Sequence, residues 1–446
     1  MRLPRILLLL GLALTAAPSS GYNEAEDAVQ DFSGMGVVRN TVDAERPVYP
    51  LYMRDKRIHG LKPFQELVDA APAGSVLRPP PGRYAGPVLL TKPLTIEGDG
   101  KVTIDAGDKG VVFRIEAEGA VLRGLHLTGS GDSHDMEDAA LEIRGHGNTV
   151  ESLIIDNSLF GIDLRQANDN IVRNNRITSK PVDLGVRGDA LRLWYSLRNL
   201  IEGNQIKDSR DIVIWYSNHN TLRNNTSTGS RYSIHFMFAQ HNLVEGNRFT
   251  NNAVGIYVMY TDGVIIRNNL VSHATGATGM GIGFKEASDS ILENNQILYC
   301  AIGIASDLSP FQPDTQIWMR GNRLAYNGIG LLFNSERDGN VVVNNHFVGN
   351  ITQVAVNGGG TAQQNTWSGN RWDDYQGFDR DGDGRGDTPH AQYAYADRIW
   401  MDTPITQFFR ATPALELLDF LERLAPFSEP DLILRDERPR VSNRHG

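Results

Sequence analysis

The sequence predicts an all-β fold, a right-handed single-stranded parallel β-helix. Three observations lead there: a recurring eight-residue phrase, apolar alternation between its copies, and Asn or Gly where the chain must turn. The phrase carries Asn at its sixth position and apolar residues at its third and eighth. It reads NIVRNNRI from Asn170, NLIEGNQI from Asn199, NTLRNNTS from Asn220 and NLVEGNRF from Asn242. It continues as GVIIRNNL from Gly263, SILENNQI from Ser290, NVVVNNHF from Asn340 and NTWSGNRW from Asn365. Its sixth-position residues are Asn175, Asn204, Asn225, Asn247, Asn268, Asn295, Asn322, Asn345 and Asn370. Weaker copies lie at Asn148 to Ile155 and around Ala120 to Leu127. A unit of this length is too short for two strands and a helix, and suits three short strands separated by turns. Alternation, as in Ile212-Val213-Ile214 and Ile256-Tyr257-Val258, points one face inward. Stacked coils then bring equivalent Asn side chains within hydrogen-bonding distance. A leucine-rich repeat would need L-x-x-L-x-L, which is missing.

The flanking segments follow from the same pattern. Residues 1–21 read as a signal peptide, with Arg2 and Arg5 before an apolar run from Ile6 to Leu14 that is too short to span a bilayer. No Cys follows that run, which argues against a lipoprotein. Residues 22–61 form an N-terminal extension, 62–372 the β-helix, 373–412 an acidic loop and aromatic cap, and 413–446 a C-terminal helix and tail. Lys62 to Ala70 reads as a short amphipathic helix closing the first coil. The helix from Pro413 to Leu424 spaces Leu415, Leu418 and Leu421 on one face, which needs a surface to bury it. Truncation after Arg410 is expected to leave the solenoid folded, and the tail from Arg435 is expected to be disordered. Cys300, the single cysteine, allows no internal disulfide and reads as a small buried hydrophobe. A net charge of -10 with no Lys/Arg run excludes a nucleic-acid backbone as partner.

Chemistry concentrates on the outer face. Leu191, Leu193, Ile212, Ile214, Ile234 and Phe236 point inward, so their alternates form two outward columns. One is Arg192, Val213, His235, Tyr257; the other is Trp194, Trp215, Met237, Met259. Coils about 4.8 Å apart and same-face neighbours about 6.6 Å apart put His235, Met237 and Met259 within reach of one ion. The coil holding Met259 counts one residue short before its Asn, a deletion placed in the turn. Imidazole with thioethers is a soft ligand set suited to Cu(I); the competing reading is an apolar strip under a loop. Trp194 and Trp215 also fit a sugar platform, and so a carbohydrate-binding or polysaccharide-modifying protein. Such an enzyme needs paired carboxylates, and the columns offer only Asp163, with Asp189 and Asp211 off register. His219 and His241 share a turn position in successive coils, as a divalent-metal pair or as solvated histidines. Asp379, Asp381, Asp383 and Asp387, interspersed with Gly, match the first half of a calcium loop. The expected bidentate Glu is replaced by His390, so this is no EF-hand.

With these residues in view, GDALRLWYSLRN (188–199), RDIVIWYSNHN (210–220), RYSIHFMFAQHN (231–242) and AVGIYVMYTDG (253–263) resemble successive coils of the NosD family. So do NRWDDYQGFDRDGDGRGD (370–387) and LAPFSEP (424–430), the similarity running from about Pro63 to Pro430. Phe238-Ala239 departs from an expected Tyr-Ser, and His390 stands where an aromatic is commoner. The resemblance implies a periplasmic protein, not itself an enzyme, associated with the membrane through an ABC transporter of permease and ATPase subunits. It implies transient Cu(I), received from a copper chaperone lipoprotein and used to build the copper–sulfur centre of nitrous oxide reductase. Partner contacts are then expected at Trp194 and Trp215, and at Leu415, Leu418, Leu421, Pro426 and Phe427.

Overall fold

The computed structural model describes residues 58, 60–276, 278–403, 406, 412–425 and 429–441. The expected signal peptide, nearly all of the expected N-terminal extension, Pro426 and Phe427 lie outside the described residues. The chain is a parallel β-solenoid with three short strands per coil. One strand of each coil joins a twelve-stranded sheet running from Val88–Leu90 to Thr352–Val356. The other two lie in a 24-stranded sheet, continuous because the long strands Thr95–Asp105 and Val121–Thr128 pass through both faces. The inner face is a single apolar column in which Leu191, Leu193, Ile212, Ile214, Ile234 and Phe236 are all buried.

Asparagine sets the coil register. The Nδ2 of Asn175 donates to Asn204 Oδ1, and the pattern repeats through Asn225, Asn247, Asn269, Asn295, Asn322 and Asn345 to Asn370, at 2.9–3.1 Å. Each Oδ1 also accepts the backbone N–H of the preceding Asn, so a buried turn leaves few amides unpaired. The ladder member in the fifth of these coils is Asn269, not Asn268 as the phrase count suggested. Asn268 is the left-handed residue just before it (φ 56°), equivalent to Asn174 and Asn224 (both φ 56°). With that correction the same spacing separates Met237 from Asn247 and Met259 from Asn269, so no deletion exists in that coil. A second ladder joins Asn148, Asn170, Asn199 and Asn220 at 3.0–3.2 Å.

A face of the 24-stranded sheet is kept in water by charge. Outward residues alternate in sign from coil to coil: Arg78, Glu97, Arg123, Glu151, Arg173, Glu202, Arg223, Glu245, Arg267, Glu293, Arg320. Bridges close between neighbours, including Arg173–Glu151 and Arg223–Glu202 at 2.6 Å and Arg267–Glu245 at 2.7 Å. Each exposed pair contributes only ~0.2–1 kcal/mol. A one-coil slip would set like charges side by side, so the column also resists misregister.

Both ends are capped. Helix α1 (Phe64–Ala70) buries Phe64 and Val68, with Phe64 edge-on to Tyr84 at 5.4 Å. At the other end the tail from Arg435 is ordered as far as the described residues reach, to Val441. Residues Asp431–Asp436 form a strand antiparallel to His390–Ala394. Asp436, fully buried, takes the place of the next ladder Asn: its carboxylate accepts from Asn370 N and Nδ2 at 3.0 Å and from Gly369 N and Trp372 Nε1 at 3.2 Å. Helix α2 (Arg398–Asp402) buries Trp400 and Met401, and helix α3 (Pro413–Leu424) starts at a Thr412 cap. Cys300 is buried, its Sγ 3.4 Å from Leu298 O, and burial pushes the thiol up to about 11. Among the described residues no helix is long and apolar enough to cross a membrane.

Candidate metal centre on the outer face

Strand pairing fixes both outward columns. Leu191–Trp194, Asp211–Trp215, Tyr232–Met237 and Val254–Met259 pair in parallel, aligning Arg192, Val213, His235 and Tyr257, and beside them Trp194, Trp215, Met237 and Met259. Imidazole and thioether meet directly: His235 Nε2 lies 3.2 Å from Met259 Sδ. Met237 stands beside Met259 one coil earlier, and both are half-buried. Burial holds the His235 imidazole down at about 4, so it is neutral and keeps its lone pair well below neutral pH. A neutral imidazole with two thioethers has the softness that Cu(I) demands.

Aromatic rings enclose the site. Trp215 is edge-on to His235 at 6.4 Å, Trp194 to Trp215 at 5.7 Å, and Tyr232 lies 4.9 Å from the imidazole. The residue after each member of the second column forms a further ladder that the sequence reading missed. Tyr195, Tyr216, Phe238 and Tyr260 stack at 4.8–5.3 Å within 13° of parallel. All four sit at φ near +50°, a backbone region uncommon for bulky residues. Their recurrence after Trp194, Trp215, Met237 and Met259 was a legible signal. Because these rings cover one another's faces, they show mainly edges to solvent. A sugar platform needs open faces, so the ladder does not provide one.

The carboxylates are mostly engaged. Asp163 accepts from Arg165 Nε at 2.6 Å and Arg192 Nε at 3.2 Å; Arg192 also binds Glu137 on the loop at 131–138. Asp211 is bound by Arg231 and by Tyr232 N. Asp189 is raised to about 7, by burial first and then by the Asp211 charge.

The remaining expected sites divide. His219 and His241 stack ring on ring at 5.3 Å rather than converging on a point. Ligand atoms of Asp379, Asp381 and Asp383 lie within 4.8 Å of one another. Asp387 stands outside that group and accepts from Arg380 N at 2.8 Å. His390 is buried, stacked on Trp372 at 4.7 Å, and is no loop ligand. In α3 the expected docking face is corrected: Leu415 is buried against the chain's own core and Leu418 packs on it. The outward stripe is Leu417, Phe420, Leu421 and Leu424, an i, i+3, i+4, i+7 pattern, so only Leu421 of the three expected leucines is exposed.

Residues 173–377 match the family model described as "Periplasmic copper-binding protein (NosD)". The chain is 26% identical over 362 residues to a probable ABC transporter binding protein NosD of Pseudomonas aeruginosa, covering 77% of this chain and 83% of that one. A protein of the same name from Stutzerimonas stutzeri is 30% identical over 112 residues, 24% of this chain and 25% of that one. Among solved structures, the A-module of mannuronan C-5 epimerase AlgE6 from Azotobacter vinelandii superposes with a TM-score of 0.55. It is 16% identical and covers 69% of this chain and 92% of that one. The AlgE4 A-module from the same organism gives 0.53 at 16% identity, covering 65% and 91%. At that identity the two epimerases share the solenoid and nothing more is carried over. The 173–377 match spans the coils that carry His235, Met237 and Met259, and with the relatives it marks the chain as similar to NosD proteins.

Proposed function

We propose that this protein is a periplasmic, non-enzymatic accessory of an ABC transporter. In this reading it takes Cu(I) from a copper chaperone lipoprotein, holds it briefly at His235, Met237 and Met259, and passes it on for the copper–sulfur centre of nitrous oxide reductase. The observation that carries it is the 3.2 Å approach of His235 Nε2 to Met259 Sδ, with Met237 in register beside it. Thioethers bind Cu(I) without exchanging protons, and release it to thiolate or sulfide; that suits a relay. Anaerobic Cu(I) competition against a chromophoric chelator tests it. One tight equivalent is expected. Because the His235 imidazole is held near 4, affinity should stay flat from about pH 7.5 to about pH 5.5. An ordinary imidazole would lose about tenfold by the lower pH. A tenfold fall would show that the ligating imidazole titrates as an ordinary one, and would contradict a buried, neutral His235 as the ligand.

Association with the permease is assigned in this reading to the outward stripe of α3. Replacing Leu417 and Phe420 by Ser should leave the melting temperature unchanged, because both side chains are already in water, and abolish co-purification with the transporter. Retained co-purification places docking elsewhere. Calcium held by Asp379, Asp381 and Asp383 completes the proposal as a structural ion. Excess calcium should raise the melting temperature and a chelator lower it, since an ion bound only by the folded state stabilises it by mass action. No movement in either direction counts against the ion.

A further inference from the structure

His235 is bracketed by rings from neighbouring coils, and the ring on the following coil has an unusual seat. Tyr257 is the in-register neighbour of His235; its ring lies 22° from parallel to the imidazole at 6.2 Å, and 9° from parallel to Tyr232 at 5.8 Å. The next residue in that column is Gly283. A Cβ at Gly283 would lie 2.6 and 2.8 Å from Cδ2 and Cε2 of Tyr257 and 2.5 Å from Sδ of Met280. The Tyr257 ring therefore lies over bare backbone of the following coil, with the Met280 thioether filling the same space. Gly283 is not among the glycines with positive φ. Its backbone does not require glycine; the ring above it does. An imidazole has a broad, two-fold χ2 preference and no intrinsic reason to aim Nε2 at a thioether. Here Trp215 on the preceding coil, Tyr232 on its own strand and Tyr257 on the following coil leave the ring little freedom.

We infer that Tyr257, seated on Gly283, is a positioning residue that holds His235 Nε2 toward the Met259 thioether. This rests on the copper reading above. The effect is preorganisation: a ligand already oriented gives up less freedom when the ion binds. The phenol hydroxyl is not needed, because the ring does the packing. Three variants separate the possibilities: Tyr257→Phe, Tyr257→Leu and Gly283→Ala, each checked for an unchanged melting temperature. Tyr257→Phe should bind Cu(I) within twofold of the unaltered protein. Tyr257→Leu and Gly283→Ala should each weaken binding about tenfold. X-ray absorption of the Cu(I)-loaded protein should then show the imidazole contribution diminished and the thioether sulfurs retained, a change that mere loss of stability would not produce. Should Gly283→Ala fail to fold, Tyr257→Leu decides alone. Unaltered affinity and unaltered imidazole scattering in folded Tyr257→Leu would overturn the inference while leaving the copper site standing. If His235→Ala itself leaves Cu(I) binding unchanged, the copper reading fails first and this inference with it.

Discussion

Asp436→Ala is expected to lower stability by about 3–5 kcal/mol, the largest single effect outside the core. Ladder asparagines relay hydrogen bonds: each offers Oδ1 to the coil before it and Nδ2 to the coil after. At the last coil there is no next Oδ1. Asp436 meets that end with two acceptors and no donor, taking Gly369 N, Asn370 N, Asn370 Nδ2 and Trp372 Nε1. Alanine leaves Asn370 N, Trp372 Nε1 and one Nδ2 hydrogen of Asn370 buried without that acceptor, at about 1–3 kcal/mol each, while Gly369 N keeps Arg438 O and Asn370 Nδ2 keeps Val342 O. Asp436→Asn should recover only part of the loss, since its NH2 would face donors. In a solenoid, stability is a sum over neighbouring coils, so the damage should begin at the C-terminal coils and spread inward. Hydrogen exchange should show faster exchange first around Thr366–Trp372, with the N-terminal coils protected. Uniform protection equal to that of the unaltered protein would contradict the cap. It also follows that truncation after Arg410 is no neutral operation, because it removes Asp436 along with α3. Surface substitution on α3 is the cleaner probe of docking.

Much of the architecture was legible because a solenoid writes one coil's requirements many times. The Asn phrase, the inward Leu/Ile/Phe column and the outward His/Met register needed no knowledge beyond strand periodicity. Within the repeat, Asn268 was read for Asn269 because two adjacent asparagines do different work, one taking the left-handed turn and the other the ladder. The alternating column from Arg78 to Arg320 falls at the fourth position of the phrase once the coil at Gly263 is counted from Val264, and it shows only when coils are compared by sign rather than by residue type. The C-terminal cap was not legible. Asp436 acts through donors more than sixty residues away in sequence, and no local pattern announces that contact. Nor could helical spacing say which of two apolar stripes on α3 faces inward. Leu415 and Leu418 are as well spaced as Leu417, Phe420, Leu421 and Leu424, and only packing distinguishes them. At the metal centre the ligands were readable from register, whereas the bare seat at Gly283 requires knowing where the Tyr257 ring lies.

Replacing both Met237 and Met259 by Leu is expected to lower Cu(I) affinity about a hundredfold or more, since two of three soft donors are lost together. The substitution keeps volume and apolarity on a half-buried strip, so the melting temperature should change little. His235 remains in place, neutral and enclosed by Trp215, Tyr232 and Tyr257, but a lone imidazole does not select reduced copper. The comparison is therefore of Cu(I) affinity, measured anaerobically against a chromophoric Cu(I) chelator, for the unaltered protein and for Met237→Leu/Met259→Leu at the same pH. A hundredfold difference between two equally folded proteins is the result the outward His/Met centre predicts. Equal affinity in both would contradict it, and would leave the aromatic strip as a surface for protein or glycan contact rather than a wall around an ion.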